Sequence, residues 1–431
     1  MKLLARLPRT TSFDLSLLAV VLALLAIGLA MVFSASGMRA LDTLDEPRYY
    51  LVQQALWAAI GLVAMTVAAR TDYHRYRAIA LPLLVVTGAL LVAVLIPGLG
   101  TRVGGAARWI RVSSFAGVQP AEIAKLALIV YFAFWLAHRR ARASSLAVVG
   151  PFLGIVVAGA ALIIAEPDLG TAIVIVTVGL AMYFVAGARP WIFAALLALA
   201  ATAVATVALT QPYRLRRVMT FLDPWSDPRG DGFQTIQALY GLALGGPFGE
   251  GLGAGREKFG YLPAAYTDSI FAVLGNELGL VGTLSVIGLF LVLAFKGVRI
   301  ALRAPDPSGA LLASGITVWL AFQAWLNMAV VASLVPLTGI TLPFISYGGS
   351  SLCVGLVAVG ILLNVGQQGG GHATADPRAR RTAKPPGVPR AARGRRDRGA
   401  REPAAGDRRG GGRDRSRDKL PLPWWSSRTR G

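Results

Sequence analysis

Apolar runs of about twenty residues recur along this chain, and a run of that length crosses the hydrocarbon core of a bilayer as one α-helix. Ten such runs begin near Phe13, Tyr50, Tyr76, Gln119, Ser145, Leu169, Pro190, Asp268, Gly309 and Pro343. In lipid every backbone polar group must be satisfied within the protein. The pattern therefore predicts an all-α integral membrane protein of about ten transmembrane helices, with one long loop, residues 211–267, between helices 7 and 8. Only 15% of the 431 residues are charged, against 55% hydrophobic; a soluble chain carries about 25% charged residues. The first run, from Phe13 to about Ala35, is too long for a signal-peptide core and lacks a small-residue cleavage site, so it reads as the first span.

Short loops rich in Lys and Arg mark the cytoplasmic side. Lys2, Arg6 and Arg9, then the segments 70–77, 138–143, 187–190 and 296–303, fall on one side together with the C-terminal tail. Ten spans then place both termini in the cytoplasm of a plasma (inner) membrane protein. The tail, residues 367–431, holds 18 Lys+Arg against 6 Asp+Glu and little apolar content before Trp424 and Trp425. It cannot bury a core, which predicts disorder, and its charge favours anionic lipid. Because over half of the net charge of +21 sits there, that charge is no argument for nucleic-acid binding by the folded domain, residues 1–366. A single cysteine, Cys353, excludes an internal disulfide, and three scattered histidines offer no zinc spacing.

The opposite face is more basic than the charge rule leads one to expect. Arg102, Arg108, Arg111, Arg214, Arg216, Arg217, Arg229, Arg256 and Lys258 lie in its loops. Guanidinium groups bind phosphate oxygens in a bidentate fashion, so a phosphate-bearing ligand at the outer leaflet would account for them. The alternative is ion pairing with Asp223, Asp227, Asp231, Glu250 and Glu257 of the same loop.

Four stretches on this face carry the polar chemistry. In residues 104–125, Pro120 suits the first turn of a helix, and Glu122 and Lys125 stand one turn apart and can pair. Arg108 has no acidic neighbour in sequence, and Trp109 sits at interface depth. In AEPDLGTA, 165–172, Glu166 and Asp168 flank Pro167 between two spans, where they can hold a cation, pair with arginines or simply shape the turn. The long loop contains an amphipathic run, Phe233–Leu244, and a glycine-dense segment, 245–255, that lacks the strand and GK[ST] of a phosphate cradle and reads as flexible re-entry. TLPFISYGGSS, 341–351, opens the last helix with small polar residues, and no histidine on this face could serve a serine nucleophile.

Asp268 closes the long loop and opens the eighth span. An acid there can favour the helix dipole, with Thr267 or Asp268 itself as the cap. An ionisable group at a membrane helix is otherwise a functional candidate.

Taken together, RWI…QPAEIAK, AEPDLGTA, FLDPW…GFQ…GLGAGREK…LPAAYTDSIFAVLGNELG and TLPFISYGGSS resemble, in order over residues 13–366, the SEDS family of peptidoglycan glycosyltransferases that contains FtsW, RodA and SpoVE. TLPFISYGGSS leans towards the division-type, FtsW-like members. The resemblance implies a ten-helix enzyme that polymerises lipid II, an undecaprenyl-pyrophosphate-linked disaccharide-peptide, into glycan strands at the outer leaflet during division or elongation. It places the catalytic aspartate on Asp268 and substrate contacts on Arg108, Trp109, Glu122, Lys125, Arg217, Gln237 and Lys258. It implies as partners a class B penicillin-binding protein and other division or elongation membrane proteins. Where the family often reads HTDFIFA and EELG, this chain has Tyr266, Ser269 and Asn276, so no imidazole stands beside the aspartate.

The expected reaction is inverting glycosyl transfer: Asp268 takes the proton of the attacking sugar hydroxyl, and outer arginines or a divalent cation stabilise the leaving pyrophosphate. If Asp268 stays a weak base, binding magnesium or manganese becomes its expected role; no organic cofactor is implied. Helix dipole and arginines would make Asp268 more acidic and burial less so, and the sequence leaves that balance open. Two other classes remain open as well. A lipid II flippase would line a path across the whole membrane with ionisable groups, and a non-catalytic division scaffold would tolerate neutralised loop arginines.

Overall fold

The computed structural model describes residues 14–103, 106–111, 117–255 and 262–373. Arg256, Glu257, Lys258 and the basic tail beyond residue 373 lie outside the described residues.

Twelve α-helices are described, and nine are long and apolar enough to cross a membrane. These are α1 (Leu15–Leu44), α2 (Tyr49–Arg70), α3 (Tyr76–Leu95), α4 (Pro120–Arg139), α5 (Leu146–Ala165), α7 (Pro190–Thr210), α10 (Ile270–Arg303), α11 (Pro307–Val331) and α12 (Gly349–Ala373). The tenth expected span is α6 (Leu169–Val185), an apolar helix of 17 residues. At 1.5 Å per residue it falls a few ångströms short of the ~30 Å hydrocarbon core. Asp168 caps it, accepting from the Thr171 N–H at 3.0 Å. The chain is an integral membrane protein.

The apolar window of α4 is 78% buried and that of α11 72%, whereas α7 is 11% buried. The two former helices are thus the centre of the bundle and the last is a peripheral, lipid-facing strut. The α2–α12 contact is close because Gly360 lies against the Met65 carbonyl, where an added Cβ would approach to 2.3 Å; small residues let membrane helices approach in this way.

Three features differ from the sequence expectation. The stretch before α4 is not a plain loop but contains a three-stranded antiparallel sheet: β1 (Gly100–Val103), β2 (Ala106–Arg111) and β3 (Gly117–Val118), in that order. A Gly-Gly pair between two short runs is a hairpin signal. The last helix begins at Gly349 rather than Pro343 and continues to Ala373, past the expected domain edge at residue 366. Ser346 and Tyr347 stand outside it in an irregular segment, 332–348, that turns back against the bundle and is called the re-entrant segment below. The long loop contains the expected amphipathic helix as α9 (Phe233–Leu244), but also α8 (Pro212–Leu222), whose Pro212 starts a new helix directly after α7.

The glycine-dense segment proves to be a fixed plug. α10 is two helices in line, broken at Gly279 (φ 65°, ψ −162°). A break orphans carbonyls at the end of the first half and N–H groups at the start of the second. The Glu250 and Gly251 N–H groups donate to the carbonyls of Asn276 (3.0 Å) and Glu277 (3.1 Å). In turn the carbonyls of Gly246 and Pro247 accept from the N–H groups of Leu280 (2.8 Å) and Val281 (3.1 Å). Only glycine fits here, because a Cβ on Gly279 would lie 2.3 Å from the Gly249 nitrogen.

Candidate active site

Asp268 is set by contacts from three directions. The Asn327 amide of α11 donates to the Asp268 carbonyl at 2.7 Å and to the Ile340 carbonyl at 2.8 Å, fastening the re-entrant segment to the start of α10. Ser346 Oγ donates to the Thr267 carbonyl at 2.5 Å, and the Tyr347 N–H to the Tyr266 carbonyl at 2.9 Å. The cap residue of α10 is Ser269, with no side-chain capping bond. Neither Thr267 nor Asp268 therefore caps the helix, contrary to the structural alternative drawn from sequence. Instead Thr267 Oγ1 donates to Asp268 Oδ1 at 3.0 Å.

The Asp268 side chain borders a cavity of about 320 Å³ whose wall also includes Arg108, Trp109, Glu122, Lys125, Asp168 and Tyr347. Arg108, Trp109, Glu122 and Lys125 are among the expected substrate contacts, and β2 and the first two turns of α4 bring them to one cavity with the aspartate. Burial dominates the acidity of Asp268 and raises its pKa; Thr267, Arg217 and Gln234 pull the other way but do not offset it. The balance left open by the sequence falls towards a stronger base.

Lys125 is buried and fully engaged. Its Nζ donates to Glu122 Oε1 at 2.8 Å and Gln323 Oε1 at 2.7 Å and lies 5.1 Å from the Trp319 ring centroid. The pair thus holds the helix end against α11, as the i, i+3 spacing allows. Arg108 Nε donates to the Glu166 carbonyl at 3.0 Å, and another of its N–H groups to the Pro167 carbonyl. Glu166 is buried without a hydrogen-bond partner on either oxygen. Burial, then the Asp168 charge, push its pKa up to about 8 against a smaller opposing effect of Arg108.

The remaining expected contacts divide. Arg217 on α8 acts on Asp268 through its charge while donating to the Leu337 carbonyl at 3.0 Å and to the Tyr213 hydroxyl. Gln237, half-buried on α9, lines neither space beside Asp268. The residue that reaches the aspartate is Gln234, nearly one turn earlier, which also donates to Ser269 Oγ at 3.0 Å. Three residues displace a side chain by about 4.5 Å along a helix axis, and that decides between them. Lys258 lies outside the described residues. Pairing of the loop arginines with loop acids is not found among the described residues: Arg108, Arg111, Arg214, Arg216, Arg217 and Arg229 have no carboxylate within 4.0 Å. Arg214 and Arg217 bind backbone carbonyls instead.

The family model of the cell cycle proteins FtsW, RodA and SpoVE matches residues 15–369. The chain belongs to this family. It is 45% identical over 358 residues to the stage V sporulation protein E of Bacillus subtilis, covering 83% of this chain and 98% of that one. It is 43% identical to a probable peptidoglycan glycosyltransferase FtsW of Trichlorobacter lovleyi, covering 83% and 94%. Among solved structures, it resembles a chain of a peptidoglycan synthase complex that coordinates polymerization and crosslinking, with a TM-score of 0.69 and 30% identity over 83% and 98% of the two chains. The Rod shape determining protein RodA of Thermus thermophilus aligns with a TM-score of 0.62 and 26% identity over 82% and 97%.

Gln323 and Asn327 of this site escaped the sequence reading, Gln234 stood in the GFQ motif without being selected, and Tyr347 was read only as part of a polar helix start. Gln323 and Asn327 had a signal, since two amides four residues apart share one face in the apolar second half of α11. As for a cation, no three His, Cys, Asp or Glu residues gather among the described residues. The donor set therefore suits no all-protein cage, but it suits magnesium, which keeps several waters and is commonly held by one or two carboxylates plus substrate phosphates.

Proposed function

We propose that this chain is a peptidoglycan glycosyltransferase that polymerises lipid II into glycan strands, with Asp268 as the general base. One observation carries the assignment of the base: the Asp268 carboxylate, made less acidic by burial, opens on a cavity shared with Arg108 and Lys125. A sugar hydroxyl is a poor nucleophile, and a positioned base of raised pKa removes its proton as the new bond forms. The oxygen then attacks the anomeric carbon of the second lipid-linked sugar. The C–O bond to the pyrophosphate breaks, and that lipid-borne group leaves with the bonding pair. Arg108, in the cavity wall, offers positive charge to the leaving group, while Arg217 acts on Asp268 through its charge. Lys125 keeps the cavity wall in register through Glu122 and Gln323. Were Asp268 instead a weak base, it would be the residue to hold a magnesium or manganese ion, which would supply charge neutralisation to the pyrophosphate.

In this reading the protein lies in the plasma membrane with both termini cytoplasmic, as the Lys/Arg distribution supports, and the cavity faces the outer leaflet. Its partner is a class B penicillin-binding protein that crosslinks the strands, in keeping with the synthase complex whose chain it resembles. The test is Asp268→Asn in purified protein given labelled lipid II, with and without that partner. The variant should fold and bind lipid II yet give no glycan ladder. The parent's rate should rise with pH through an apparent pKa above the ordinary carboxylate value of 3.8. Undiminished ladders from the variant would refute the assignment of the base; lipid scrambling without polymer would refute the polymerase reading.

A further inference from the structure

The end of the bundle opposite Asp268 carries a second shaped site. α4 starts beside the Asp268 cavity, with Glu122 and Lys125 in its wall, and runs for twenty residues to Arg139. That is roughly 30 Å at 1.5 Å per residue, the full hydrocarbon thickness. At this far end α3 and α4 leave between them a groove of about 500 Å³. Arg77, His138 and Arg139 form its rim, and Leu81, Tyr131, Phe134 and Trp135 its trough.

The rim is prepared for an anion. The Arg139 guanidinium lies 4.8 Å from the centroid of the Trp135 ring and donates to the Trp135 carbonyl at 3.4 Å, so its position is fixed before anything binds. His138 Nδ1 stands 2.8 Å from the Phe134 carbonyl, an acceptor, which assigns the proton to Nδ1 and makes Nε2 an acceptor, so the two arginines alone meet the anion. Among the described residues neither Arg77 nor Arg139 has a carboxylate within 4.0 Å. The trough runs along membrane-facing surface: Leu81 is 57% exposed, and Tyr131 and Trp135 stack at 6.3 Å. A ligand for this groove therefore needs a negative head and an apolar body lying parallel to the helices, which a free anion or a peptide does not supply in the bilayer.

We propose that the α3–α4 groove binds one anionic glycerophospholipid, its phosphate between Arg77 and Arg139 and an acyl chain along Leu81, Tyr131 and Trp135. Basic pockets between membrane helices recognise anionic headgroups in this manner. The bound lipid bridges α3 to α4, the helix that carries Glu122 and Lys125 at its other end.

The test is native mass spectrometry of the full chain in mixed micelles of phosphatidylglycerol and phosphatidylcholine with matched acyl chains. The parent should retain phosphatidylglycerol selectively, and Arg77→Gln and Arg139→Gln should each lower retention about fivefold, the effect of one cation at a lipid surface. Arg75→Gln, on the same surface but outside the groove lining, should change nothing, and the basic tail is common to all variants. Trp135→Leu should weaken retention with every charge intact. Equal retention of both lipids, an equal loss from Arg75→Gln, or displacement of the lipid by inorganic phosphate would each overturn the proposal.

Discussion

Replacing Gly279 by alanine should unlock the α10 break, and the same replacement at Gly288, nine residues on in the same helix, should not. Gly279 has φ 65° and ψ −162°, a conformation essentially confined to glycine; holding alanine there costs about 1–3 kcal/mol. The new Cβ would also sit 2.3 Å from the Gly249 nitrogen and 2.7 Å from the Phe248 nitrogen, both backbone atoms that cannot swing aside. The plug must therefore withdraw. That gives up four hydrogen bonds of 2.8–3.1 Å across the break, worth about 1 kcal/mol each. The combined loss is about 6 kcal/mol. At Gly288 an added Cβ meets nothing within 4 Å, and alanine there should stabilise by up to about 1 kcal/mol through helix propensity. Thermal unfolding of the purified variants reads the two signs. Hydrogen exchange should show the Leu280 and Val281 amides losing protection in Gly279→Ala alone. A Gly279→Ala protein that melts with its parent and keeps those amides protected would refute the plug.

Other consequences bear on the site. Lys125→Met leaves Glu122 buried without its cation and should destabilise by about 3–5 kcal/mol, whereas the paired Glu122→Gln/Lys125→Met variant should regain most of that loss; a double variant no more stable than the single one would contradict the structural role, and melting curves decide. Glu166 has a folded pKa of about 8 against an ordinary 4.5, so the folded state holds a proton that the unfolded state releases. Stability should therefore fall as pH rises from about 4.5 to about 8, and Glu166→Gln, which mimics the neutral acid, should flatten that decline in melting temperature measured from pH 5 to 8.5. Arg217→Gln removes a charge that lowers the Asp268 pKa. The acid limb of the polymerisation rate should shift to higher pH in that variant.

The span pattern was legible because lipid leaves the backbone no choice but helix, so apolar length alone marked where the helices lie. Asp268 stood out for the same reason: an acid at a membrane helix needs a partner or a task. The amphipathic period of Phe233–Leu244 was equally plain. What composition and spacing did not contain was who meets whom. Gln234 and Gln237 look equivalent in sequence, and only the placement of α9 beside the start of α10 selects Gln234. The glycine run 245–255 reads as slack until Gly279 breaks α10 and leaves carbonyls and N–H groups for it to satisfy. The acidity of Asp268 depends on how much protein surrounds it, a three-dimensional quantity, and the packing of α10, α11 and the re-entrant segment settled it in favour of a raised pKa. Sequence thus determined the elements and the candidate base, because those follow from local chemistry against lipid. The tertiary structure decided the cavity, the partners and the strength of the base, because those depend on residues hundreds of positions apart.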